Sequence, residues 1–195
     1  MTRLNKIRAF IGFKLPDNIR SSIKKIRESP AADQLKIRWV RPENIHLTLK
    51  FFGDIIVEDI ERIDRAIADA AGRYAPISVS AKGIGVFPDM RRPRVVWLGI
   101  GGETDQVVKF QKAIDKNLRQ IGFPEEKRRF SGHLTLGRVK GKIDPQALSD
   151  VLTRFERFET DPFVLDRIIL FQSELKPSGP EYIRLASAEL NFMAP

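Results

Sequence analysis

Apolar positions recur along this chain at two periods, and the switches between them mark out its elements. Residues 6–15 (KIRAFIGFKL) alternate in part and are rich in β-forming side chains, which predicts a strand. Pro16 and Asp17 then open a helix whose apolar residues Ile19, Ile23 and Ile26 lie at helical spacing, ending before Ser29–Pro30. Residues 36–40 (KIRWV) predict a short strand, and 45–52 (IHLTLKFF) a second one closed by Gly53–Asp54. Over 57–71, Val57, Ile60, Ile63, Ile67, Ala70 and Ala71 share one helical face, and Gly72 stops the helix.

The second half repeats this alternation. Strands are predicted at Ile77–Val86 and Arg94–Ile100, separated by the turn-forming FPDMRRP. A long helix carries Val107, Phe110, Ala113, Ile114, Leu118 and Ile121 and stops at Gly122. Phe130–Val139 predicts a strand, and Asp144–Pro145 starts a helix with Ala147, Leu148, Val151, Leu152 and Phe155 as its apolar stripe. Strands near 162–172 and 181–191, joined by KPSGP, finish the chain. Strands and helices mix without strict βαβ alternation, so the expected class is α+β with mainly antiparallel sheets.

Composition narrows the function. The chain has 195 residues, 42% hydrophobic and 30% charged, enough for one large domain or one domain of two similar lobes. A formal net charge of +9 favours polyanionic partners, nucleic acid first among them. The absence of cysteine removes disulfides, thiol nucleophiles and Cys-ligated zinc. The first apolar stretch is too short and interrupted for a signal peptide, and no run approaches the ~20 apolar residues of a membrane helix, so a cytoplasmic protein with no membrane partner is expected.

The chemistry lies in a repeated tetrapeptide. His-Leu-Thr-Leu occurs at 46–49 and at 133–136, and these hold the only two histidines of the chain. At average usage of roughly a tenth for Leu and a twentieth for Thr, a given histidine meets that context by chance on the order of once in two thousand. Both copies lie in predicted strands followed by helices, one per half, as a duplicated two-lobed fold would show. Strand alternation puts His46 with Thr48, and His133 with Thr135, on one face, while the leucines anchor the other face in the core. If the halves pack about a pseudo-twofold axis, two imidazoles and two hydroxyls face one another across a cleft.

That set suits phosphodiester hydrolysis without a metal. A neutral imidazole takes a proton from water while a protonated one donates to the departing oxygen, and an ordinary pKa of about 6.5 keeps both forms accessible. The threonine hydroxyls can donate to the non-bridging oxygens as charge builds. A single His–Thr pair in a strand would more simply be a hydrogen-bonded structural pair; two identical copies argue against that reading. A metal site is disfavoured because no carboxylate lies within either motif.

The segments ENIHLTLKFFGD and FSGHLTLGRVK, with RAFIGFKLP, RPRVVWLGI and LFQSELKPSGPEYIRL, resemble the RNA 2′,3′-cyclic phosphodiesterase family, historically called 2′-5′ RNA ligase, of the two-histidine phosphoesterase superfamily. The resemblance covers nearly the whole chain. It implies one bilobal domain over 1–195, with two mainly antiparallel sheets facing a central cleft, helices outside, and no cofactor. It implies RNA ends carrying 2′,3′-cyclic phosphate, tRNA fragments among them, as substrate, a 2′-phosphate as product, and a monomer as the working unit. It assigns His46 as proton donor and His133 as proton acceptor, roles the residues alone leave open, and Thr48, Thr135 and Arg138 as phosphate-binding groups. Strict alternation would turn Arg138 away from His133, but a bulge at Gly137 would turn it back.

Lys50 is in phase with His46 and Thr48 and could reach the cleft, although a strand-end surface lysine is the simpler reading. Trp39, Phe51, Phe87 and Trp97 are candidate stacking platforms against a core alternative. Arg91, Arg92 and Arg94, and Lys127, Arg128 and Arg129, are candidates for a basic rim. One other function competes with hydrolysis, a non-catalytic RNA-end-binding module of the same fold, and reversible 2′-5′ ligation is expected at most as a side activity. No G-x-x-x-x-G-K-[ST] loop is present, which argues against an ATP-driven ligase.

Overall fold

A computed structural model describes residues 5–177 and 179–191. The elements run β1 (Lys6–Lys14), α1 (Asp17–Arg27), α2 (Pro30–Asp33), β2 (Ile37–Trp39), β3 (His46–Ile56), α3 (Ile60–Ala71), β4 (Ile77–Phe87), β5 (Val95–Gly102), α4 (Thr104–Gln120), β6 (His133–Val139), α5 (Pro145–Arg154), β7 (Phe163–Leu165), β8 (Arg167–Lys176) and β9 (Gly179–Glu189). Every predicted helix and strand is present.

The differences have local causes. The four-residue α2 is too short to show a period; Ser29 caps it by accepting a hydrogen bond from Ala32 N (3.3 Å), with Pro30 in its first turn. Strand β3 does not end at Gly53–Asp54: Gly53 takes φ 75° inside the ladder, beside a register shift, and pairing with β1 continues to Ile56. The run near 162–172 is two strands, because the chain crosses at Asp166 from pairing with β4 to pairing with β1.

All pairings are antiparallel, in the order β7-β4-β5-β6-β3-β1-β8-β9, with β2 on β6. The sheet consists of two four-stranded halves, β7-β4-β5-β6 and β3-β1-β8-β9, whose ladder is joined at the Cα pair Leu47–Leu134. The two expected sheets are thus joined at the middle of the two motif strands.

Helices α3 and α4 pack on each other and on the sheet, and their Ile63, Ile67, Val107, Phe110, Ile114 and Leu118 are fully buried with Leu47, Leu49, Leu134 and Leu136. This core immobilises the leucine faces of both motifs. The opposite face carries a small aromatic cluster of Phe10, Ile169 and Phe171 with Tyr182. No helix among the described residues is long and apolar enough to cross a membrane.

Candidate active site

The two motif strands end in the same irregularity. In β3, Ile11 pairs with Lys50 and Gly12 with Thr48, so Leu49 is the extra residue; in β6, Val96 pairs with Gly137 and Trp97 with Thr135, so Leu136 is. Each bulge turns two successive residues inward: Leu49 and Lys50 in one half, Leu136 and Gly137 in the other. The strand phase then inverts, and the fifth residue after each histidine returns to the cleft. That residue is Phe51 in the first half and Arg138 in the second, and both line the cleft.

Lys50 is therefore neither in the cleft nor at the surface. Its side chain is 4% exposed, and its Nζ donates to Asp115 Oδ1 (2.6 Å) and to the Pro124 carbonyl (2.7 Å). The bulge accounts for both: it breaks the alternation that put Lys50 in phase with His46.

The histidines are held alike. His46 Nδ1 donates to the Asn44 carbonyl (2.7 Å), and His133 Nδ1 donates to the Ser131 carbonyl (2.8 Å). A carbonyl only accepts, so each Nδ1 carries the proton and each Nε2 is the nitrogen left for chemistry. Extending the Leu47–Leu134 pairing by one residue either way sets His46 opposite Thr135 and Thr48 opposite His133.

Their surroundings differ. His46 stacks on Phe10 (centroids 4.5 Å apart) and meets the edge of Tyr182 (5.1 Å), whereas His133 meets the edge of Phe87 (5.1 Å), which stacks on Trp97 (5.0 Å). Burial depresses the His46 pKa below the usual imidazole value, opposed by the Asn44 carbonyl and assisted by the charge of His133. Burial raises the Tyr182 phenol, with Arg138 pulling the other way.

His46, Thr48, Thr135 and Arg138 share one cavity of about 350 Å³. His133 lies two residues from Thr135 on the same face. Arg8, Arg38, Arg41, Trp39, Phe51 and Tyr182 also line it, and among the described residues no carboxylate does. The Arg8 guanidinium sits 4.7 Å over the Phe51 ring, which is 44% exposed. Neither predicted basic run contributes to the lining. Sequence reasoning missed Arg8, Arg38, Arg41, Phe10, Tyr182 and Asn44. Asn44 holds His46 through its carbonyl while its Nδ2 donates to the Pro180 carbonyl (2.7 Å), tying the β8–β9 hairpin to the cleft. Strand register brings in Arg8, Phe10, Arg38 and Tyr182, and their spacing carries no signal of it. Among the described residues no group of three or more His, Asp or Glu is placed to hold a metal ion.

Two opposed His-x-Thr strands, each imidazole gripped at Nδ1, beside an arginine-lined cavity, define a two-histidine phosphoesterase. The sequence model of the LigT-like phosphoesterases matches residues 13–97 and 99–182, one span per half. The chain belongs to that family. It is 34% identical over 177 residues to an RNA 2′,3′-cyclic phosphodiesterase of Methanothermobacter thermautotrophicus, covering 91% of this chain and 95% of that one. To the protein of the same name from Methanocaldococcus jannaschii it is 34% identical over 179 residues, covering 90% and 96%. In fold it is similar to TT0787 of Thermus thermophilus (TM-score 0.79, 22% identity, 94% and 98% covered) and to E. coli LigT complexed with 3′-AMP (TM-score 0.71, 22% identity, 96% and 100% covered).

Proposed function

We propose that this protein hydrolyses the 2′,3′-cyclic phosphate ends of RNA, tRNA fragments included, to 2′-phosphates. His46 donates a proton to the leaving ribose oxygen and His133 accepts one from the attacking water. The observation that carries the reading is the shared grip on Nδ1, which leaves both Nε2 atoms for proton transfer at one phosphorus. The relatives that bear the name RNA 2′,3′-cyclic phosphodiesterase support the substrate class.

The phosphate sits between Thr48 and Thr135, whose hydroxyls donate to its non-bridging oxygens, and the fork of Arg138 offsets the charge of the pentavalent state. Burial favours neutral His46 in the free protein. The anionic phosphate opposes this and raises the His46 pKa on binding, so the donor is charged by its own substrate. Both lobes of the cleft come from one chain, which supports a monomer as the working unit.

The test is hydrolysis of a short RNA ending in 2′,3′-cyclic phosphate, with EDTA present and the product isomer identified. Wild type is expected to release the 2′-phosphate, and His46→Ala and His133→Ala to lose ~100-fold or more. Full activity in either variant overturns the acid–base pair. RNA binding without turnover by the wild type makes the chain a binding module instead.

A further inference from the structure

The short strand β2 has a feature that the acid–base pair does not use. Its three residues lie along β6, with Arg38 directly opposite Arg138 and Trp39 opposite Gly137. Both arginines are exposed and both line the cleft. Like charges facing each other across strands are destabilising, and among the described residues no carboxylate pairs with either one. The approach is tight as well. A Cβ added at Gly137 would lie 2.4 Å from Ile37 Cγ2 and 3.2 Å from the Arg38 carbonyl oxygen, so a glycine is what lets β2 seat there. The fold thus sets two arginines opposite each other on the wall of a cavity that, among the described residues, no acidic group lines.

A single cyclic phosphate does not need both. Its two non-bridging oxygens already face the hydroxyls of Thr48 and Thr135 and the fork of Arg138. Arg38 stands one strand further out, about 5 Å away at the Cα level. From the reading of the site as a cyclic phosphodiesterase, on which this step rests, we infer that Arg38 forms a second phosphate subsite. It holds the 5′-phosphate of the terminal nucleotide, which in RNA is the phosphodiester to the preceding residue. The enzyme therefore recognises an RNA end by two successive phosphates, the reacting one at Arg138 and its upstream neighbour at Arg38.

The experiment compares kcat/KM for a nucleoside 2′,3′-cyclic phosphate with and without a 5′-phosphate, in wild type, Arg38→Ala and Arg91→Ala. The last removes an equal charge from an exposed loop residue outside the cavity lining. Wild type is expected to prefer the 5′-phosphorylated substrate by about tenfold, the scale of one charge-assisted contact. Arg38→Ala is expected to bring that ratio close to one, and Arg91→Ala to leave it in place. A thermal melt checks that Arg38→Ala is folded.

Equal rates on the two substrates in wild type overturn the subsite. So does a preference that survives Arg38→Ala, or one lost equally in Arg91→Ala, which would mark a general field effect. An equal fall on both substrates in Arg38→Ala moves Arg38 to the reacting phosphate and also overturns it. Failure of wild type to turn over either substrate is a different result, and it sinks the hydrolase reading itself.

Discussion

Nδ1 of each histidine is held by the carbonyl two residues upstream, and burial between the rings of Phe10 and Tyr182 depresses the pKa of His46. The sign of the consequence follows from the donor role proposed for it. A donor must carry its proton, and a lowered pKa means that the free protein loses that proton at a lower pH than an ordinary imidazole does. kcat/KM, which reports the free enzyme, is expected to fall as pH rises through a value below about 6.5. kcat, which reports the substrate complex, should hold to higher pH. NMR titration of the imidazole Nε2 assigns the limb. A His46 that titrates above the ordinary value would overturn the depression by burial, and a kcat/KM that climbs through neutrality and then stays level would overturn His46 as the donor.

Among the elements, the bulged strands matter most. Lys50, turned inward by the first bulge, ties β3 to α4 and to the segment leading toward β6. Asp115 also accepts from Gln111 Nε2 (2.8 Å) and Glu126 N (3.3 Å). Lys50→Ala leaves the Asp115 carboxylate buried without its cation and should cost about 3–5 kcal/mol in urea unfolding. A loss below about 1 kcal/mol would show that water reaches the carboxylate and that the pair is not structural. The elements themselves were legible because each rests on a local period: Ile19, Ile23 and Ile26 for α1, or Leu47 and Leu49 behind His46. The two histidines and two threonines were legible for the same reason. A bulge is not periodic, and the one inserted residue that sends Lys50 inward leaves no trace in composition. Gly137 was the single hint, and it pointed correctly to the return of Arg138. Phe10, Tyr182 and Arg38 reach the site only through long-range register, which a single sequence does not carry.

At the scale of the whole molecule, the ladder joins the two half-sheets at Leu47–Leu134, and each half brings one histidine and one threonine. A working cleft therefore needs both halves of one chain. Mixing inactive His46→Ala with inactive His133→Ala is expected to restore no activity over the background of either alone. Recovery toward a quarter or half of the wild-type rate would mean that chains exchange halves.

The twin bulges have one more consequence. A cleft with perfect twofold symmetry would accept a cyclic phosphate in either of two orientations related by half a turn. Donor and acceptor would swap between them, and the ring would open at either ribose oxygen. Here the repeated frame is kept down to its inserted leucine, and the residues that the insertion re-aims into the cleft differ: an aromatic ring at 51, a cation at 138. With Arg138 as the proposed phosphate contact, that difference gives the phosphate a single preferred heading. On the proposed reading, the isomeric purity of the product is thus decided where two strands of one pattern cease to be alike.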